Sequence, residues 1–175
     1  MQAHSTLMVE PQEASPVKVI AGQGPVDDQK QFSQLVTSCA YQLYANRGCQ
    51  DGHALDDWRE AEALVLGSQA QCPVGFIDLD EVLEVEAAVG DFKAADLEIA
   101  IDPFRLTLSG DRGKTERAQG RARMAGEPHP IFKILSLPVE VDPSRATAEL
   151  KSGMLHVVLP KKLKVAIARA RAKAA

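Results

Sequence analysis

The apolar residues of this chain change their spacing once, near Pro73, and that change limits the folds open to it. Before it, Phe32, Leu35, Val36, Cys39, Ala40, Leu43 and Tyr44 recur at the three- and four-residue offsets of a single helix face. After it, Leu83, Val85, Ala87 and Val89 alternate with Glu84, Glu86 and Ala88. Leu97, Ile99 and Ile101 alternate in the same way with Glu98, Ala100 and Asp102, the period of half-buried strands. Further strands are expected over 104–108, 131–137, 147–150 and 154–159, divided by Asp-Pro, Ser-Gly and Asp-Pro-Ser turn signals. Many short strands with frequent turns predict a mainly β protein, an immunoglobulin-like antiparallel sandwich of two sheets, preceded by a small αα-hairpin.

The helical part has readable ends. Asp28 is placed to cap the first helix with Gln31 as its reciprocal partner, and Gly48 suits a left-handed stop. A second helix follows the Asp51-Gly52 turn: Leu55, Trp58, Ala61, Leu64 and Val65 share a face, Asp56 and Asp57 favour its start, and Gly67 is read as its end. About 35 residues bury too little surface to be robust alone, so this hairpin is expected to dock or to self-associate through its apolar stripe. The expected organisation is a flexible segment over 1–27, the hairpin over 28–67, the sandwich over 76–160 and a basic tail over 161–175. The first segment is read as flexible from Pro11, Pro16, Pro25, Gly22 and Gly24 and its lack of a sustained period.

Composition narrows the function. With 45% hydrophobic and 25% charged residues the chain falls in the globular range. It has no apolar run long enough to span a membrane, and its start lacks the pattern of a secretory signal. Three cysteines, Cys39, Cys49 and Cys72, make no disulfide framework and suit a reducing compartment, so a cytoplasmic location is expected. Residues 161–175 hold six bases and no acid, a run more often solvated than bound to nucleic acid. No phosphate loop, nucleophile elbow or metal motif is visible, and Glu84 with Glu86 reads as a solvated strand face rather than an acid–base pair. Cys49 with His53 is half a metal site at most. Neither an enzyme nor a cofactor is expected.

The closing strands carry a family resemblance. Residues 131–138, then Val141-Asp142-Pro143, then 146–150, then Gly153-Met154-Leu155-His156-Val157-Val158-Leu159-Pro160-Lys161 resemble, in order, the strand, turn, strand and G-[VM]-L-x-V-x-L-P-K signature of the small heat shock proteins, the α-crystallin domain family. Gly153, Leu155, Val157, Leu159 and Pro160 are its signature positions. Upstream, residues 89–93 with 96–99 are similar to the family's acidic-flanked turn, and 106–110 to its next strand. Over residues 40–62 the hairpin resembles a short bacterial domain of unknown function.

The resemblance implies an ATP-independent chaperone that holds unfolding client proteins, assembled as a homo-oligomer built on dimers. It implies a tail anchor at Val165 and Ile167, laid into a neighbour's groove lined by Leu97, Ile99, Ile101, Ala146, Ala148 and Leu150. An alanine-rich basic helix is the other reading of that tail. Lys133 stands at the dimer-strand position, where the family usually carries arginine, and a lysine cannot make the same planar bidentate pair. The connection over 111–130 lacks the aromatic strand that bacterial relatives exchange. A non-chaperone adaptor with a co-chaperone-like sandwich is the alternative.

Overall fold

The computed structural model describes residues 14–22, 25–112, 114, 120 and 128–162. In chain order its elements are β1 (Ser15–Pro16), β2 (Lys18–Ala21), α1 (Pro25–Asn46), α2 (Ala54–Gln71), β3 (Val74–Asp78), β4 (Val82–Ala88), β5 (Leu97–Asp102), β6 (Arg105–Asp111), β7 (Pro130–Ser136), β8 (Thr147–Lys151) and β9 (Met154–Pro160). Two sheets face each other. One is antiparallel in the order β1-β8-β9-β4-β3, and the other runs β2-β5-β6-β7. The second departs from the antiparallel expectation at one place, since β2 runs parallel to β5.

The period-two residues account for the layers. Leu83, Val85 and Ala87 of β4 lie opposite Leu159, Val157 and Leu155 of β9, and all six are buried against Ile99, Ile101, Leu106 and Leu108 of the other sheet. At roughly 1.5–3 kcal/mol for each large aliphatic, as an upper bound, this interior dominates the fold. The β8–β9 turn is Ser152-Gly153, with φ of 52° and 75°, the mirror-image turn that matches strand twist. Gly153 is needed twice over. Its φ is left-handed, and a Cβ there would come within 2.8 Å of the Gly90 carbonyl oxygen. Its own carbonyl accepts the Val89 and Gly90 N–H groups at 2.9 and 3.0 Å.

Strand β6 is buried on both faces, which alternation alone does not predict. Leu106 and Leu108 face the sandwich interior, while Thr107, Ser109 and Asp111 are covered by α1. Helix α1 meets them with residues spaced three, seven and four apart, on one helix face. Asp28 accepts from Arg105 Nη1 at 2.7 Å and Thr107 Oγ1 at 2.5 Å, Gln31 Oε1 accepts from Ser109 at 3.3 Å, and Asp111 accepts from Ser38 Oγ at 2.6 Å and Gln42 Nε2 at 3.2 Å. Apolar residues Leu35, Val36, Cys39, Ala61 and Val65 close over Phe132 of β7, whose ring meets Phe32 edge-on at 5.4 Å. The hairpin is thus docked on the sandwich.

Three expectations are corrected. Asp28 does not cap α1: the helix opens on Pro25, a residue pre-set for the first helical position, and the Asp28 carboxylate is spent on β6. Helix α2 does not end at Gly67 but runs to Gln71, because Ser68 and Gln69 are held by β7 through Phe132 N–H to Ser68 Oγ (2.9 Å) and Lys133 Nζ to the Gln69 carbonyl (2.5 Å). Tertiary bonds outweigh the glycine's weak helix propensity. Finally, the segment over 1–27 is not flexible throughout, since residues 15–21 contribute β1 and β2. Gly48, with φ of 80°, does stand at the left-handed turn after α1, where its N–H donates to the Ala45 carbonyl at 3.0 Å.

Candidate polypeptide-binding surfaces

The edges of a sandwich decide what it can bind, because an unpaired strand edge offers backbone donors and acceptors to another extended chain. Strands β5 and β8, one from each sheet, would be such edges without β2 and β1, which pair with them, and the six residues expected to line a groove lie in or beside these two strands. Leu97, Ile99 and Ile101 of β5 and Ala148 and Leu150 of β8 are buried in one cluster, with Ala146 packed partly buried against it. The groove is not open, however. Residues 14–22 lie in it, with Val17 buried between the sheets at 6% exposure. The Val17 N–H donates to the Ala148 carbonyl at 3.0 Å, and the Gly22 N–H to the Ile101 carbonyl at 2.7 Å. Val165 and Ile167, the expected tail anchor, lie outside the described residues.

Lys133 is half-buried, and its ammonium is taken by the last turn of α2 through the Gln69 carbonyl, where the helix dipole also favours a cation. The structure therefore places Lys133 in the joint between hairpin and sandwich. Gly153, Leu155, Val157, Leu159 and Pro160 form the turn and strand β9 at the centre of its sheet, where Leu155, Val157 and Leu159 are buried. They are framework residues.

Two apolar surfaces face outward. On the hairpin, Leu55, Trp58 and Leu66 of α2 and Tyr41 of α1 are exposed, Trp58 at 41%. On β3, Phe76 and Ile77 are exposed on opposite sides of a strand that has, among the described residues, a hydrogen-bonded neighbour on one side only. Alternation missed β3 because its burial does not alternate. It missed β1 and β2 because four residues are too few to show a period. The signal that was present is Pro16-Val17-Lys18-Val19, two β-branched residues across one.

Ionisable groups here serve the fold. The Asp142 carboxylate accepts from Ser144 Oγ and N–H, at 2.6 and 3.0 Å, which holds it below the usual aspartate range. Burial pushes the Cys72 thiol up, with the Lys133 charge pulling the other way. Glu86 meets His156 across β4 and β9 at 3.3 Å on the outer face of the sheet. Among the described residues, no three His, Cys, Asp or Glu side chains group as metal ligands.

The geometry defines a class: a two-layer β-sandwich that holds an extended segment across its open end and carries a helical cap on one sheet. A family model described as Hsp20/alpha crystallin matches residues 77–172, more than half of the chain. The chain belongs to that family. A model described as a protein of unknown function, DUF2934, matches residues 36–67, within the hairpin. Heat shock protein 16 of Schizosaccharomyces pombe (strain 972) is 27% identical over 85 residues, covering 46% of this chain and 59% of the yeast protein, so the match spans less than two thirds of that relative. Among solved structures, heat shock protein 16.0 from Schizosaccharomyces pombe is 22% identical, covering 53% of this chain and 88% of its own, with a TM-score of 0.43. The Del-C4 mutant of hsp14.1 from Sulfolobus solfatataricus P2 is 20% identical, covering 57% and 82%, with a TM-score of 0.45. Family membership rests on the sequence match rather than on these superpositions.

Proposed function

We propose that this protein is an ATP-independent holding chaperone: it captures unfolding proteins on apolar surface before their exposed strands aggregate, with no bond made or broken. The observation that carries the reading is the exposed apolar set Tyr41, Leu55, Trp58 and Leu66 on a hairpin docked to an Hsp20-type sandwich. A docked module that kept these side chains for its own stability would bury them, as it buries Val36 and Val65. The edge of β3 with Phe76 and Ile77 is a second capture surface, of the kind that pairs with an incoming strand.

In this reading the chain works in the cytoplasm as a homo-oligomer built on dimers, with no nucleic-acid partner and no cofactor. It divides functionally into an N-terminal segment, a helical hairpin, a sandwich and a basic tail. Val165 and Ile167 of one subunit anchor in the groove of another, formed by Leu97, Ile99, Ile101, Ala146, Ala148 and Leu150. Lys133, held by α2, steers the dimer contact away from its own stretch of β7.

The deciding experiment heats an aggregation-prone test protein with the purified chain, without nucleotide, and follows light scattering alongside sizing chromatography. Suppression by an assembly larger than a monomer is expected. A monomer that leaves aggregation unchanged would replace this reading by that of an adaptor recruiting a defined partner.

A further inference from the structure

Residues 14–22 bridge both sheets. Ser15 and Pro16 pair with Leu150 and Glu149 of β8, antiparallel. At Val17 the chain crosses over, and Lys18, Val19, Ile20 and Ala21 pair with Glu98, Ile99, Ala100 and Ile101 of β5, parallel. The side chains have a simple order. Val17 enters the core between the sheets, Lys18 turns outward to Glu98 at 2.9 Å, and Val19 packs back on the same cluster. Val165-Ala166-Ile167 has the same order in sequence, a branched aliphatic, a spacer and another branched aliphatic. In the groove reading made above both segments use the same backbone edges and the same hole, so on that reading one groove holds one of them.

We propose that residues 14–22 are a built-in occupant that closes the groove against extended segments offered by neighbouring subunits, so that assembly through this edge requires their displacement. The inference rests on the groove reading made above and adds its regulation. Two features set the balance. The segment is tethered: only two residues separate Gly22 from Pro25 of the docked α1, so it competes at the high effective concentration of an intramolecular ligand. It is also lightly held, because β1 has two residues and β2 four, and Val17 is the one side chain in them or between them that is fully buried. A cleft of about 540 Å³ between Pro16 and Lys18 on one wall and Gln34 and Ser38 of α1 on another leaves its flank open to approach.

The test uses the full chain carrying Ile167→Ser, so that its own tail does not compete, and two fluorescent peptides, residues 161–170 and residues 13–22. In the Val17→Ser/Val19→Ser variant the tail peptide is expected to bind at least 10-fold more tightly than to the chain with residues 17 and 19 intact. Equal affinity for both overturns the proposal. If the tail peptide binds neither chain while the 13–22 peptide binds only the variant, closure stands and the tail-anchor reading falls. If neither peptide binds the variant, closure is overturned. A second form avoids destabilising the core: Lys18→Cys/Glu98→Cys, in a Cys49→Ser background, joins register partners by a disulfide. Oxidation is expected to abolish peptide binding and reduction to restore it, and binding unchanged by oxidation overturns closure.

Discussion

Gly153 shows how a single residue holds two parts of the fold together. Gly153→Ala places a methyl group against the Gly90 carbonyl in a backbone conformation that L side chains avoid. A loss of about 1–3 kcal/mol is expected, read as a lower urea midpoint at unchanged slope. Asp142 has a signature in acid. Its folded-state pKa is depressed, so its contribution is fully present above the unfolded aspartate value near 4 and is lost as pH falls through the folded value. Asp142→Asn is therefore expected to flatten the acid limb of stability against pH, measured by urea midpoints. Thiol chemistry should separate the cysteines. Cys49 is exposed while Cys39 and Cys72 are buried, so a chromogenic disulfide reagent is expected to titrate one thiol in the native protein and three in urea.

At the scale of elements, the joint between α1 and β6 is a ladder of polar residues where most helix–sheet joints are apolar. Asp111→Ala leaves Ser38 and Gln42 without an acceptor they now share, in a part-buried setting beside the cleft. A cost of about 1–3 kcal/mol is expected, accompanied by faster hydrogen exchange in α1 than in β9. This joint also marks how far sequence reasoning reaches. Strands β4 and β9 were legible because each has one face inside and one outside, so burial follows the alternation of Val, Leu and Ile with charged or small residues, and β5 was legible from the same alternation although Ala100 on its other face is buried as well. The first turn of α1 was misread because Asp28 and Gln31 fit a capping box by spacing, and nothing local says that Arg105, Thr107 and Ser109 claim them instead. That Leu97, Ile99 and Ile101 share a buried face was legible in their alternation. That Val17 packs against them was not, because the pairing that brings it there joins residues 80 positions apart.

For the whole molecule, capture of clients and stability of the fold are expected to separate. Leu55→Ser/Trp58→Ser alters side chains that lie outside both core clusters, so the unfolding midpoint should move little, by about 0.5 kcal/mol or less per site, while suppression of aggregation falls several-fold. Equal suppression by the variant would remove the hairpin from the capture surface. The short join between Gly22 and Pro25 has a mechanical corollary. Three virtual bonds reach no further than roughly 11 Å. Strand β2 cannot travel beyond that radius without dragging the first turn of α1, and Asp28 with it, off Arg105 and Thr107. Any large excursion at the mouth of the sandwich is thereby transmitted as a pull on the root of its helical lid.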